Sequence, residues 1–215
     1  MNPMVYLVDD DDALRDALRQ LLEGAGLRVL DFASAEAFMP VCESATAGCL
    51  VLDLRMPGMS GPELHAALRD RGMPLPIIYL TGHGDVPTAV RALQSGAFDF
   101  IEKPPPEGVL VERVRKAIDW DERRRSDAQR DAAARASYAR LTPREREVMA
   151  HIVAGRSTKE AARELGISHR TVDVYRQRVM AKTGAANLIE LSEFARRCAM
   201  PRAERRRPSR RDDGH

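Results

Sequence analysis

Short apolar runs alternate with amphipathic segments along the first half of the chain. The runs cover residues 5–8, 28–32, 49–52, 77–80 and 98–101. Their length is typical of buried strands, and the leucines between the first two runs recur at helical spacing. Five strands that alternate with helices predict an α/β fold: a doubly wound five-stranded parallel sheet with helices on both faces.

Polar side chains follow four of these strands. Four aspartates, residues 9–12, follow the first strand, Asp53 the third, Thr81 the fourth and Lys103 the fifth. Parallel strands end at one edge of the sheet, where ligands bind, so we expect these groups to lie together. Crowded carboxylates favour a cation such as Mg²⁺, and a lysine with a hydroxyl can hold phosphoryl oxygens. The pattern predicts Asp53 as a nucleophile toward phosphorus, although Asp11 or Asp12 would also serve as a helix N-cap.

The second half of the chain predicts a small all-α domain. Helices are expected at about 143–154, 158–165, 169–182 and 187–198, and three of them begin with a capping box or a similar pattern. The segment 119–139 is predicted as a helical linker, either one long helix or a partly frayed one. Residues 200–215 are low in complexity and rich in arginine, which predicts a disordered tail.

The middle two of these helices have the form of a helix-turn-helix. In the second of them Arg170 and Gln177 are expected to read base edges, and Val174 to touch a thymine methyl group. Asp173 would either orient a neighbouring arginine, which we favour, or accept a hydrogen bond from cytosine. The expected phosphate contacts are Thr158, Lys159, Thr171, Arg176, Arg178 and Lys182.

Charge differs between the two halves. Residues 1–118 hold 11 basic and 17 acidic side chains, whereas residues 140–215 hold 18 basic and 10 acidic ones. A basic second half favours a polyanionic partner. The three cysteines form no CxxC pair, and we expect no signal peptide and no membrane span. A cytoplasmic location is therefore the expectation.

Both halves resemble known domain families. The motifs LVLDLRMPGMSG, YLTGHGD and EKP resemble the flavodoxin-like receiver domain of two-component response regulators. LTPREREVMAHIVAGRSTKEAARELGISHRTVDVYRQRVMAKTGA resembles the LuxR-type DNA-binding domain. Their combination, with TGHGDVPTAVRAL and RTVDVYRQRVMAK, is similar to the FixJ branch of the NarL/FixJ family. The implied domains are a receiver (1–118), a linker (119–139), a helix-turn-helix domain (140–199) and a tail (200–215).

The resemblance assigns a role to each residue at the strand ends. Asp53 is the phosphoacceptor, and Thr81 and Lys103 contact the phosphoryl group, the lysine before a cis peptide to Pro104. Phe100 is the switch aromatic that turns inward. The implied Mg²⁺ ligands are Asp10, Asp53, the backbone carbonyl of Arg55 and, through water, Asp9.

The resemblance also implies partners. A sensor histidine kinase is the phosphodonor, and phosphorylation produces a homodimer that binds promoter DNA, with RNA polymerase as a further candidate partner. The dimer face joins the fourth helix, fifth strand and fifth helix of the receiver, with Val90, Leu93 and Gln94 as candidates. Arg55 and His83 are hypothesised to set the lifetime of the phosphorylated state.

Two other functions compete with this one. The Asp9–Asp11 pattern also matches the DxD start of haloacid-dehalogenase-type phosphatases, but these need a further acidic pair on a strand beyond the lysine. The other alternative is a constitutive DNA-binding regulator whose receiver is only a dimerisation scaffold. The complete set of acids, threonine and lysine favours a regulator switched by phosphorylation over both, and the chain is expected not to be an enzyme.

Overall fold

The computed structural model describes residues 3–42, 47–82, 96–106 and 108–199, apart from the side chains of Cys42 and Ala199. The chain forms two compact units, Met1–Ser126 and Asp127–His215. The predictions for His83, Val90, Leu93, Gln94 and the tail 200–215 fall outside the described residues.

The first unit contains the predicted parallel sheet. Its strands are β1 (Met4–Val8), β2 (Arg28–Phe32), β3 (Gly48–Asp53), β4 (Ile77–Thr81) and β5 (Asp99–Glu102). They pair in the order β2-β1-β3-β4-β5, and every pairing is parallel. All six residues of the central strand β3 are buried, as expected when helices cover both faces of a sheet. The expected doubly wound α/β fold is confirmed.

Among the described residues, four helices belong wholly or partly to the first unit. They are α1 (Asp12–Gly24), α2 (Ala35–Cys42), α3 (Gly61–Asp70) and α4 (Val109–Ala139). One hydrophobic cluster packs α2 and α3 on one face of the sheet, and a second packs α1 and the start of α4 on the other. Asp11 is the N-cap of α1, because its carboxylate accepts the Leu14 N–H at 3.0 Å.

Helix α4 runs without a break through the segment predicted as a linker. It begins after the proline-rich stretch that follows Lys103, and its residues Leu110, Val114 and Ile118 are buried against the sheet. Its later turns contribute to the second unit, since the boundary between the units follows Ser126.

A buried carboxylate anchors the middle of α4. Asp121 is fully buried, and its carboxylate accepts the backbone N–H of Gly48 at 3.0 Å. Arg124 and Arg125, on the next turn, donate to the same carboxylate at 2.8 and 2.6 Å. The start of β3 is therefore tied directly to the helix.

We expect Asp121→Ala to lower the free energy of unfolding of the first unit by about 2–3 kcal/mol, because a buried N–H loses its acceptor. The two arginines are 27% and 35% exposed, so water can replace the carboxylate for them. Urea unfolding followed by circular dichroism measures the loss. The exposed Asp119→Ala is the matched control, and equal stability of the two variants would contradict the anchor.

The second unit is a bundle of four short helices packed on the end of α4. They are α5 (Pro143–Val153), α6 (Thr158–Leu165), α7 (His169–Thr183) and α8 (Leu188–Ala199), each within one residue of its predicted bounds. The capping boxes at Thr142 and Ser157 form as predicted, and Asn187 accepts the Glu190 N–H at 3.0 Å. Within the described residues, no helix is both long and apolar enough to cross a membrane.

Candidate functional site

Carboxylates gather where β1 and β3 end. Asp9, Asp10 and Asp53 each offer an oxygen within 4.8 Å of the other two. Asp9 is fully buried, Asp53 is 6% exposed and Asp10 is exposed. The strand-end pattern predicted this cluster, and the fold assembles it because β1 and β3 are neighbours in the sheet.

Lys103 joins the cluster from the end of β5. Its Nζ lies 2.8 Å from Oδ2 of Asp9 and 2.9 Å from Oδ1 of Asp53. Its backbone N–H donates to the Thr81 carbonyl at 2.8 Å, and a cis peptide links it to Pro104. One ammonium beside three carboxylates leaves an excess of negative charge, and these oxygen donors are of the type that suits Mg²⁺.

The pKa values of Asp53 and Lys103 reflect this crowding of charged groups. Burial raises the pKa of the Asp53 carboxyl, and the charge of Asp9 adds to the increase, whereas Lys103 and the Arg55 N–H oppose it. Burial alone would lower the pKa of Lys103, but hydrogen bonds to Asp9 and Asp53 outweigh it and the pKa is raised. The lysine stays cationic, and a bound cation would relieve the remaining excess of negative charge.

Thr81 and Phe100, the residues predicted to form the switch, lie on the neighbouring strands β4 and β5. Thr81 is 5% exposed at the end of β4, and its hydroxyl donates to the Gly82 carbonyl at 3.2 Å. Phe100 in β5 is 37% exposed, so its ring faces outward here.

The loop after Asp53 approaches the acidic cluster through its backbone. The Arg55 N–H donates to the Asp53 carboxylate, while the residue as a whole is exposed. A Cβ at Gly61 would lie 2.3 Å from the Asp53 carbonyl oxygen, so only glycine fits there. Gly61 was not among the predicted site residues, although a glycine eight residues after the predicted nucleophile is visible in the sequence.

In the second unit, α7 presents the predicted exposed face. Val172 and Val179 are buried against the other helices, and Val174 on the opposite side is 42% exposed. The Arg178 guanidinium lies 5.9 Å from the centre of the Tyr175 ring. The other predicted DNA contacts that are exposed are Lys159, Arg170, Asp173, Arg176 and Gln177, whereas Thr158 and Thr171 are half-buried.

Two of the expected DNA contacts have different partners in the structure. Asp173, which we expected to orient an arginine, instead accepts a hydrogen bond from the Thr158 hydroxyl at 3.4 Å. The Nζ of Lys182, an expected phosphate contact, lies 2.7 Å from the carboxylate of the buried Glu145 and donates to the Arg140 carbonyl. This ion pair gives Lys182 a role in the fold, beside the predicted phosphate contact.

Both units match known protein families. Residues 5–115 match the response regulator receiver domain, and residues 139–195 match the bacterial regulatory proteins of the luxR family. The transcriptional regulatory protein FixJ of Bradyrhizobium diazoefficiens is 46% identical over 91% of this chain and 96% of its own length. The chain belongs to the NarL/FixJ family of response regulators.

Other members of the NarL/FixJ family are similar over the same span. The C4-dicarboxylate transport transcriptional regulatory protein DctR of Rhodobacter capsulatus is 44% identical over 90% of this chain and all of its own. The structure of the response regulator StyR matches with a TM-score of 0.80 and 37% identity, over 91% of this chain and 99% of that one. This family member is thus a two-component transcription regulator with a receiver domain and a LuxR-type DNA-binding domain.

We expect Lys182→Met to weaken the fold rather than DNA binding. The pair with Glu145 is partly solvated, so the loss of unfolding free energy should be about 1 kcal/mol. The hydrogen bond from Lys182 lowers the pKa of Glu145, with help from the Thr142 N–H. A carboxyl group whose pKa is lower in the folded than in the unfolded protein stabilises the fold at pH values above its unfolded-state pKa. The difference in stability between Lys182→Met and wild type should therefore shrink as the pH falls through the folded-state pKa of Glu145.

Denaturation at several pH values measures this loss, and DNA titrations over a range of salt concentrations measure the phosphate contacts. Arg176→Ala should reduce the salt slope by about one, and Lys182→Met should leave it unchanged. An equal reduction of the salt slope in both variants would show that Lys182 contacts a DNA phosphate as Arg176 does.

Proposed function

We propose that this regulator accepts a phosphoryl group from a sensor histidine kinase on Asp53, dimerises in response and binds promoter DNA. One observation carries the proposal. The Asp53 carboxylate lies at the carboxyl end of the central strand β3, 2.9 Å from Lys103 and within 4.8 Å of an oxygen of Asp9 and of Asp10. A nucleophile, a cation and a set of oxygen ligands are thus assembled around one point.

The chemistry at this point is an in-line displacement. An oxygen of Asp53 attacks phosphorus as the bond from phosphorus to the histidine nitrogen breaks, and the bonding pair stays on that nitrogen. Lys103 then leaves the carboxylate oxygen to pair with a phosphoryl oxygen. Asp10, Asp53 and the Arg55 carbonyl would hold Mg²⁺, with Asp9 acting through water. Bound there, Mg²⁺ supplies positive charge that neutralises the transferring phosphoryl group.

The switch lies beside the phosphorylated group. In this proposal the Thr81 hydroxyl leaves the Gly82 carbonyl for a phosphoryl oxygen, and Phe100 turns from its exposed position into the vacated space. The dimer face predicted from the sequence then binds a second copy of the chain. Its fifth strand is β5, its fifth receiver helix is the start of α4, and Val90, Leu93 and Gln94 are the candidate contacts from its fourth receiver helix. Differential stability of the two states couples the site to DNA binding.

The DNA surface is the exposed face of α7. Arg170, Val174 and Gln177 would read bases, while Thr158, Lys159, Thr171, Arg176 and Arg178 position the helix on the phosphates. A dimer would place two such helices on a two-fold related site. The role of Asp173 in this proposal is structural. It accepts a hydrogen bond from Thr158, which would fix the start of α6 relative to α7.

Incubation with acetyl phosphate tests the chemistry without a cognate kinase. We expect the intact mass to rise by one phosphoryl group when Mg²⁺ is present and to stay unchanged when EDTA removes it. Size-exclusion chromatography of the same samples should show a dimer only in the phosphorylated one. Phosphorylation that proceeds equally well in EDTA would contradict the proposed metal site. Multiple turnover of a phosphate ester would favour a phosphatase.

A further inference from the structure

The loop between β3 and α3 carries the backbone that surrounds the phosphoacceptor. Leu54 donates its N–H to the Leu80 carbonyl at 3.0 Å, and Arg55 donates its own to the Asp53 carboxylate. Met56 is buried in the core, and Gly61 donates to the Leu54 carbonyl at 3.3 Å. These contacts fix both ends of the loop, whereas Pro57 and Gly58 at its tip are exposed and Met59 packs partly against the core.

A side chain from another helix holds this tip. Glu36, in the first turn of α2, accepts the Met59 N–H on Oε1 at 2.7 Å. Gly58 has a φ of +74°, and a Cβ there would lie 2.6 Å from the same oxygen, so the carboxylate is packed directly against the turn. The loop loses this charge-assisted hydrogen bond if its tip moves away from α2.

The carboxylate of Glu36 is itself fixed in place. It accepts hydrogen bonds from its own backbone N–H and from the Ser34 hydroxyl as well as from Met59, and these bonds lower its pKa. It is therefore ionised at neutral pH. The side chain is exposed, so its contribution to the core is small.

We propose that Glu36 is a positioning residue for the Mg²⁺ site: by holding Met59 it keeps the Arg55 backbone where the metal and Asp53 need it. The inference rests on the proposed function, because Arg55 matters only if a metal binds beside Asp53. Glu36 itself contacts neither group. Its loss should weaken metal binding through the loop while leaving Asp9, Asp10 and Asp53 intact.

Two substitutions separate position from charge. Glu36→Gln removes the charge but keeps an acceptor oxygen at the same length, whereas Glu36→Ala removes both. Calorimetric titration of the full chain with MgCl₂ should give an affinity about 3–10-fold weaker for Glu36→Ala, the size expected for one lost hydrogen bond. Glu36→Gln should recover most of that affinity. If both variants weaken binding equally, or neither does, Glu36 acts only through its charge or not at all, and the proposal is overturned.

A second readout follows the loop itself. Amide hydrogen exchange of the segment 54–60 without metal should be several-fold faster in Glu36→Ala, and close to wild type in Glu36→Gln and in the exposed control Glu23→Ala. Unchanged exchange in Glu36→Ala would overturn the proposal. Wild type that binds Mg²⁺ but takes up no phosphoryl group would overturn the proposed function alone, and wild type that binds no Mg²⁺ would overturn both.

Discussion

Asp53→Asn is expected to abolish phosphorylation, because the amide that replaces the carboxylate is not a nucleophile toward phosphorus. The effect should be complete, since Asp9 and Asp10, the other carboxylates of the cluster among the described residues, are the proposed metal ligands, Asp10 directly and Asp9 through water. Intact mass spectrometry after incubation with acetyl phosphate and Mg²⁺ measures the loss. The fold should survive, because the amide still accepts the hydrogen bond from Lys103.

Asp12→Asn is the matched control for this variant. Asp12 belongs to the same acidic run, but its side chain is 85% exposed and pairs with Arg15 at 2.5 Å on the outside of α1. We expect it to take up phosphate like wild type. A phosphorylated Asp53→Asn protein, with the label mapped to another residue, would show that the phosphoacceptor is assigned wrongly.

Arg170→Ala is expected to weaken binding to the preferred DNA site by about 1–3 kcal/mol and to relax its sequence preference at one position. Arg170 is exposed in the first turn of α7, where a recognition helix meets base edges. The preferred site can be selected from random duplexes, and fluorescence anisotropy then measures both affinities. Arg196→Ala on α8, with a side chain 69% exposed, is the control for the loss of one positive charge.

The two arginine variants separate base reading from general attraction. If Arg170→Ala lowers the affinity for every duplex by the same factor, as a phosphate contact would, Arg170 positions the helix and does not read the sequence. If Arg196→Ala weakens the preferred site as strongly as Arg170→Ala does, α7 is not the recognition helix.

The strand-end groups could be predicted from the sequence because their arrangement depends on local patterns. Apolar runs locate the strands, and parallel pairing then brings Asp9, Asp53 and Lys103 to one edge, whatever the details of packing. The helices of the second unit were predicted for a similar reason, since Thr142 and Ser157 cap their own helices within three residues.

Contacts over long sequence distances could not be predicted in this way. Nothing near Lys182 indicates that Glu145, on another helix, will take its ammonium, so helical spacing alone assigned it to DNA. Glu36 and Met59 lie 23 residues apart, and Gly48 and Asp121 are separated by 73. The charged residues of these pairs, Lys182, Glu36 and Asp121, resemble ordinary exposed charges in the sequence. Only the tertiary fold shows which group each of them contacts.

In the proposed function, phosphorylation of Asp53 changes how tightly α7 binds DNA. The most direct test is the affinity of wild type for its selected site, measured by anisotropy at one salt concentration, with and without acetyl phosphate and Mg²⁺. We expect phosphorylation to tighten binding by about 5–150-fold, the range of a typical allosteric coupling, and we expect no change for Asp53→Asn. Equal affinity of phosphorylated and unphosphorylated wild type would contradict it.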